Sequence, residues 1–298
     1  MFRLPFFLLL CVLTAPAPSA ETAVTWHPFT WNGERALRSV SHGRQAVVSL
    51  VRARLIHFGP EGSGLNLLLA PPTRDNRNRY GGHRLWLGPQ ATWAKIWPPP
   101  EAWEYQEAVA VSQNAGTLRL AMADAGDGWP QLTRTYHWNG ASLVCGAEFS
   151  GGTRPAQFVQ ILQVPPTTAI SVTSAPAEKD FPAGYVLLPS STGPFAARFE
   201  EPPHVTHSGE AVALRHTGVV VKVGFRPQTL TGRFGGFELQ VSRGVQTGET
   251  EGEPDQGFHT QVYLSANQEA FAELEQLSPL FAPRQNARFE MVLNAVAR

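Results

Sequence analysis

Leu132-Thr133-Arg134-Thr135-Tyr136-His137-Trp138-Asn139-Gly140-Ala141-Ser142-Leu143-Val144-Cys145-Gly146-Ala147-Glu148-Phe149 is the stretch on which the fold turns. Two runs rich in β-branched and aromatic residues flank Asn139-Gly140. Asn-Gly between such runs is the strongest short-range hairpin signal, because both residues tolerate the positive φ of a tight two-residue turn. Runs of the same kind recur outward in both directions, at 46–51, 54–58, 65–69, 118–122, 158–164, 186–188, 212–214, 219–225, 234–241 and 258–264. Helical periodicity is almost absent, and 27 Gly and 25 Pro punctuate the chain at the intervals of a strand meander. The class expected is all-β, a sandwich or barrel.

One segment stays open between two readings. In 267–277, Phe271, Leu274 and Leu277 recur at threes and suit a helix. As a strand, Phe271-Ala272-Glu273-Leu274-Glu275 places Glu273 and Glu275 on one face, since alternate side chains share a side. Periodicity does not decide between them. Residues 244–257, rich in Gly, Glu and Thr, read as an exposed loop. With no internal repeat or low-complexity tract, residues 21–298 are expected to form a single domain.

Residues 1–20 carry Arg3, an apolar run from Leu4 to Leu13, then Thr14-Ala15-Pro16-Ala17-Pro18-Ser19-Ala20 ahead of Glu21, the layout of a secretory signal peptide. Leu10 before Cys11 does not suit a lipoprotein site. No later segment has the roughly 18 uninterrupted apolar residues of a spanning helix. The expectation is an exported protein, periplasmic or extracellular, with no membrane association once the leader is removed. Loss of the leader leaves Cys145 alone, so no internal disulfide forms. The chain balances 24 basic against 24 acidic residues without a block of like charge. That distribution offers no footprint for nucleic acid and suits a neutral ligand.

The candidate binding surface is Arg79-Tyr80-Gly81-Gly82-His83-Arg84-Leu85-Trp86-Leu87-Gly88-Pro89-Gln90, followed by Trp93, Trp97, Pro98-Pro99-Pro100, Trp103 and Tyr105. Four of the eight tryptophans stand between positions 86 and 103. Flat indole faces stack on the C–H groups of a sugar ring while interleaved Arg, His and Gln side chains hydrogen-bond its hydroxyls. On this reading Arg84, Trp86, Gln90, Trp93 and Trp97 bind substrate; the competing reading makes the tryptophans core aromatics of a sandwich wall. The three prolines forbid a helix and remove ladder donors, so 91–103 is expected to be an ordered loop.

Residues 79–105 and 271–280 resemble the galactose mutarotase-like superfamily, a β-supersandwich shared by aldose 1-epimerases and related carbohydrate-processing enzymes. The first segment is closest to a bacterial family of unassigned function marked by Gly-Gly-His-Arg-Leu-Trp. The second resembles the late strand that carries the epimerases' catalytic glutamate, and the match falls on Glu275. What the resemblance implies is a sugar cleft in which Glu275 takes the anomeric proton while a histidine protonates the ring oxygen. The central strand expected to supply that acid reads Gln157-Phe158-Val159-Gln160-Ile161-Leu162-Gln163, without histidine. His83 and His137 are then the imidazoles at hand, and Arg134 resembles an inward-pointing arginine that binds substrate.

Each candidate has a plainer role to be weighed. Glu275 suits a strand-face carboxylate paired with an arginine, Arg84 a loop pin, His83 a satisfied turn residue and Arg134 a surface charge. His204-Val205-Thr206-His207 with His216 lacks an acidic or Cys partner for a metal, and the Asp124, Asp127, Gly128 turn lacks the carboxylates calcium needs, so no metal and no cofactor are expected. Three functions follow: an exported carbohydrate-binding protein, an aldose 1-epimerase-like isomerase with Glu275 as base, or an envelope scaffold without a small ligand.

Overall fold

Strands Gln131–Asn139 and Ser142–Gly151 form the expected hairpin, with Asn139 opposite Ser142 and Gly140 at φ +58° in the turn. The computed structural model describes residues 24–70, 81–95, 98–173, 183–188, 205–208, 211–266 and 270–298. The leader at 1–20, Arg79, Tyr80, Trp97 and His204 lie outside the described residues.

In chain order the strands are β1 (His27–Trp31), β2 (Glu34–Ser41), β3 (Arg44–Ser49), β4 (Arg54–Pro60), β5 (His83–Gly88), β6 (Ala110–Asn114), β7 (Thr117–Ala121), β8 (Gln131–Asn139), β9 (Ser142–Gly151), β10 (Gln157–Val164), β11 (Ala169–Thr173), β12 (Val186–Leu187), β13 (Val205–Ser208), β14 (Ala211–Leu214), β15 (Val221–Phe225), β16 (Thr229–Phe234), β17 (Phe237–Thr247), β18 (Thr250–Gly252), β19 (Thr260–Leu264), β20 (Ala272–Leu277), β21 (Leu280–Phe281) and β22 (Gln285–Ala297). They build a four-stranded sheet β1-β2-β3-β4, a six-stranded sheet β12-β15-β19-β20-β10-β5, a ten-stranded sheet β13-β14-β11-β16-β17-β22-β9-β8-β7-β6 and the small pair β18-β21. The all-β class is therefore correct; among the described residues the helical elements are a one-turn helix, α1 (Glu101–Glu104), and two 3-10 turns.

The six- and ten-stranded sheets pack face to face. Leu162, Val223 and Leu274 of the former meet Leu120, Tyr136 and Leu293 of the latter, and Val48 and Leu55 of the four-stranded sheet join the same apolar cluster. Within the open segment, Ala272–Leu277 forms strand β20, buried along its whole length between β19 and β10; residues 267–269 lie outside the described residues. Among the described residues no helix is long and apolar enough to cross a membrane.

Four local expectations are corrected. Residues 65–69 form no strand; they cross from the four-stranded to the six-stranded sheet, with Leu67 N–H on Phe58 O and Leu69 N–H on Gln163 O. The run 234–241 is two strands, broken at Gly235-Gly236, which take φ +57° and +78° where a continuous strand would stay extended. The expected loop at 244–257 contains the end of β17, strand β18 and a 3-10 turn at Pro254–Gly257. The loop at 91–103 runs into α1 directly after Pro100, where a fixed φ starts a helix rather than stopping one.

Candidate functional site

Register decides which side chains share a surface. In the six-stranded sheet, Arg84 of β5 stands opposite Ile161 of β10, Ile161 opposite Glu275 of β20, and Glu275 opposite Gln261 of β19. Gln163, Glu273, Tyr263 and Lys222 form the next row. Side chains directly opposite point the same way, so Arg84, Gln163, Glu273, Glu275, Gln261, Tyr263 and Lys222 belong to one face. The alternate residues Leu162, Leu274, Val262 and Val223 face the ten-stranded sheet in the core. One side of this sheet is thus apolar, and the other carries a row of donors and acceptors.

The row is organised as ion pairs. Lys222 Nζ lies 2.9 Å from Glu275 Oε2. Glu273 Oε1 accepts from Gln163 Nε2 at 2.8 Å and from Arg84 Nη1 at 3.4 Å. Arg84 is held more closely on its far side, where its Nε donates to Glu104 Oε1 at 3.0 Å. Glu104 also receives Arg54 Nη1 at 3.1 Å and Trp86 Nε1 at 2.8 Å. The Arg84 guanidinium sits 4.6 Å from the Trp86 ring centroid. Burial alone would push the Glu104 carboxyl up, but the charges of Arg54 and Arg84 override it and hold the group at about 2. Glu273, farther from a close cation, shows the opposite balance: burial and the neighbouring Glu275 charge raise it to about 7 against the pull of Arg84 and Gln163. Its side chain is 10% exposed and that of Glu275 2%, while Lys222 is 22% exposed and marks the more open end.

The other expected site residues fall elsewhere. His83 precedes Arg84 on β5 and so points to the opposite face. It is fully buried in the core, with Nδ1 3.2 Å from the Tyr136 hydroxyl and Nε2 2.9 Å from Gln160 Oε1. Burial and the Arg134 charge depress it to about 3, so it stays neutral there. His83 and Glu275 are on opposite sides of a sheet and do not form one acid–base pair; that expectation is corrected. His137 is half-buried on β8, in the other sheet.

Arg134 points inward as expected, but its donors meet the chain itself: Nη1 reaches His83 O, and Nη2 reaches Leu85 O and Trp103 O. β5 is an edge strand, and this guanidinium caps carbonyls that no neighbouring strand pairs. Arg134 therefore serves as a cap on these carbonyls.

The indoles are packing too. Trp86 and Trp93 are 5% and 8% exposed and meet edge to face at 5.6 Å, with Trp93 Nε1 on Leu87 O. Trp103 meets Trp129 at 5.1 Å in the same apolar cluster. Among the described residues these indoles form no open stack, because the 3-10 turn at Gln90–Thr92 and helix α1 pack against β5. Gln90 opens the 3-10 turn there and is half-buried. A groove of about 960 Å³ lies away from the Glu273–Glu275 row and the indoles, between the four-stranded sheet and the turns of the ten-stranded sheet, lined by His27, Arg38, His42, His137 and Trp138.

Among the described residues no three His, Cys, Asp or Glu side chains gather as a metal site. Glu104, Glu273, Lys222, Gln163 and Gln261 are the members of the polar arrangement that motif reading passed over. Only the period-two spacing of Glu273 and Glu275 signalled any of them in advance.

No family model and no curated protein sequence matches the chain. Its fold matches solved structures. A galactose mutarotase-like protein from Lactobacillus casei ATCC 334 superposes with a TM-score of 0.58 at 9% identity, over 88% of this chain and 100% of that one. A protein from Escherichia coli K12, provisionally described as an aldose 1-epimerase, gives 0.57 at 13% identity over 92% and 100%. A galactose mutarotase related enzyme from Lactobacillus acidophilus gives 0.50 at 6% over 88% and 97%. The chain therefore has the galactose mutarotase-like fold, an antiparallel β-sandwich. On that fold this chain carries the Glu273–Glu275 pair, flanked by Arg84 on one side and Lys222 on the other.

Proposed function

We propose that the protein is an exported carbohydrate-binding protein whose ligand surface is the polar face of the six-stranded sheet. The observation that carries this reading is the row Arg84, Gln163, Glu273, Glu275 and Lys222, charged or amide groups set side by side on strands rather than on loops. Hydroxyl-rich ligands are recognised by such convergent donors and acceptors held on a rigid frame. The described likeness of proteins of this fold to mutarotases supports a monosaccharide over a polymer. Export rests on the leader-like residues 1–20.

Isothermal calorimetry of the leaderless chain against free hexoses tests the reading. Saturable binding is expected, weakened at least tenfold in Lys222→Ala and little changed in His137→Ala. No heat with any hexose, and a blank glycan array, would overturn it.

A second reading is an aldose 1-epimerase-like isomerase with Glu275 as general base. What favours it is the placement of Glu275 beside another carboxyl on the same face. Accelerated mutarotation of a free hexose, lost in Glu275→Gln, is the expected result by polarimetry.

A further inference from the structure

We propose that Glu273 is the proton donor of this site, so that the reacting pair consists of two carboxyl groups from one strand in place of a carboxylate and an imidazole. The proposal rests on the isomerase reading.

The geometry comes first. Glu273 and Glu275 are alternate residues of β20, on one face, about 7 Å apart along the strand. Mutarotation needs proton transfer at O1 and at O5, and both oxygens are bonded to C1. A donor and an acceptor one strand repeat apart on a single face suit two atoms so close together.

The partners of the two groups differ in kind. Glu275 faces the ammonium of Lys222 at 2.9 Å, a charge-assisted contact. Glu273 faces an amide at 2.8 Å and a guanidinium at 3.4 Å that Glu104 already engages more closely. Both of those donors converge on Oε1, so a proton on Glu273 belongs on Oε2. The charged or titratable groups around Glu273 are Arg84 from β5, Glu275 on its own strand, Tyr263 from β19 and Lys222 from β15. In support, burial and the Glu275 charge raise the Glu273 carboxyl to about 7, where it holds a proton in part of the population at neutral pH. His83, the imidazole that the motif suggested, sits behind the sheet and neutral.

The step balances without another reagent. Glu275 takes the proton from O1–H as C1=O1 forms; the C1–O5 bond breaks with its electron pair going to O5, and O5 takes the proton from Glu273. After rotation about C1–C2 the open chain recloses. O5 attacks the other face of C1 and returns its proton to Glu273, while O1 recovers the proton from Glu275. Both side chains end as they began.

The test is polarimetry of α-glucose and α-galactose mutarotation with the leaderless chain from pH 5 to 9, alongside binding by calorimetry. Wild type is expected to accelerate the reaction, with the rate falling as pH rises through about 7. Glu273→Gln is expected to lower kcat at least a hundredfold and to abolish that alkaline decline. Glu273→Asp is expected to recover part of the rate. The infrared carbonyl band of a protonated carboxylic acid should be present at pH 6, lost by pH 8 and absent from Glu273→Gln, a readout that does not depend on turnover. Wild-type kinetics in Glu273→Gln would overturn the proposal and leave the isomerase reading standing. Absence of acceleration by wild type with every hexose it binds would overturn both.

Discussion

Arg84 is shared between two carboxylates, and the sharing is unequal. Its Nε is 3.0 Å from Glu104, whereas its Nη1 is 3.4 Å from Glu273. Glu104 is in turn the hub of a buried cluster with Arg54 and Trp86, every member of which is sealed from water. Removing one partner of a buried ion pair leaves the others charged in a poor dielectric and costs about 3–5 kcal/mol. Glu104→Gln is expected to destabilise the fold by that amount in urea titration at pH 7. The sign with pH follows from the depressed carboxyl: the folded state holds Glu104 at about 2 against an ordinary 4.5, so its contribution is complete above pH 4.5 and fades as pH falls toward 2. The difference between wild type and Glu104→Gln should therefore shrink across that acid window. Glu104 was invisible in the sequence because its partners lie at positions 54, 84 and 86, and nothing local in Glu101-Ala102-Trp103-Glu104 marks it for burial.

At the scale of elements, β5 and β20 carry the site, and they were legible to different degrees. The Asn139-Gly140 hairpin and most strand runs emerge from turn chemistry and β-propensity, which act over a few residues. β20 stayed ambiguous because two periods overlap there: Glu273 and Glu275 alternate at two while Phe271, Leu274 and Leu277 recur at threes. The tryptophan-rich run was read as an open surface, yet whether an indole lies in a cleft or under a loop depends on the path from Gln90 to Glu104, a tertiary matter.

β5 is placed by its approach as well as by its pairing. Gly82 has φ +70°, and a Cβ there would stand 2.1 Å from Leu55 O, a main-chain atom unable to move aside. Gly126 has the same φ with open space around it. Gly126→Ala is expected to cost about 1–2 kcal/mol from left-handed backbone strain alone. Gly82→Ala should exceed it by at least about 1 kcal/mol from the clash, lowering the melting temperature further and shifting the Arg84 carboxylate contacts with it.

For the whole molecule, the apolar cluster joining Val48, Leu55, Leu162, Leu274 and Leu293 draws on all three large sheets. A core so shared makes separate melting of the four-stranded sheet unfavourable. We expect differential scanning calorimetry of residues 21–298 to show one transition with equal calorimetric and van't Hoff enthalpies, whereas two resolved peaks would mean two domains. The sequence indicated a single unit through the absence of an internal repeat or low-complexity tract along 21–298. The contacts that join the sheets pair residues far apart in the chain, which is why the layering itself was not readable.

Cys145 sits in the middle of β9, facing Tyr136 across one strand boundary and Met291 across the other, with no exposed surface. Burial also pushes its thiol up, so little of it is thiolate at neutral pH. A sulfhydryl dye reaches it only when β8, β9 and β22 come apart. The protein thus carries a native stopwatch: the rate of Cys145 labelling at rising denaturant counts excursions of the sandwich from its closed form, with no engineered probe.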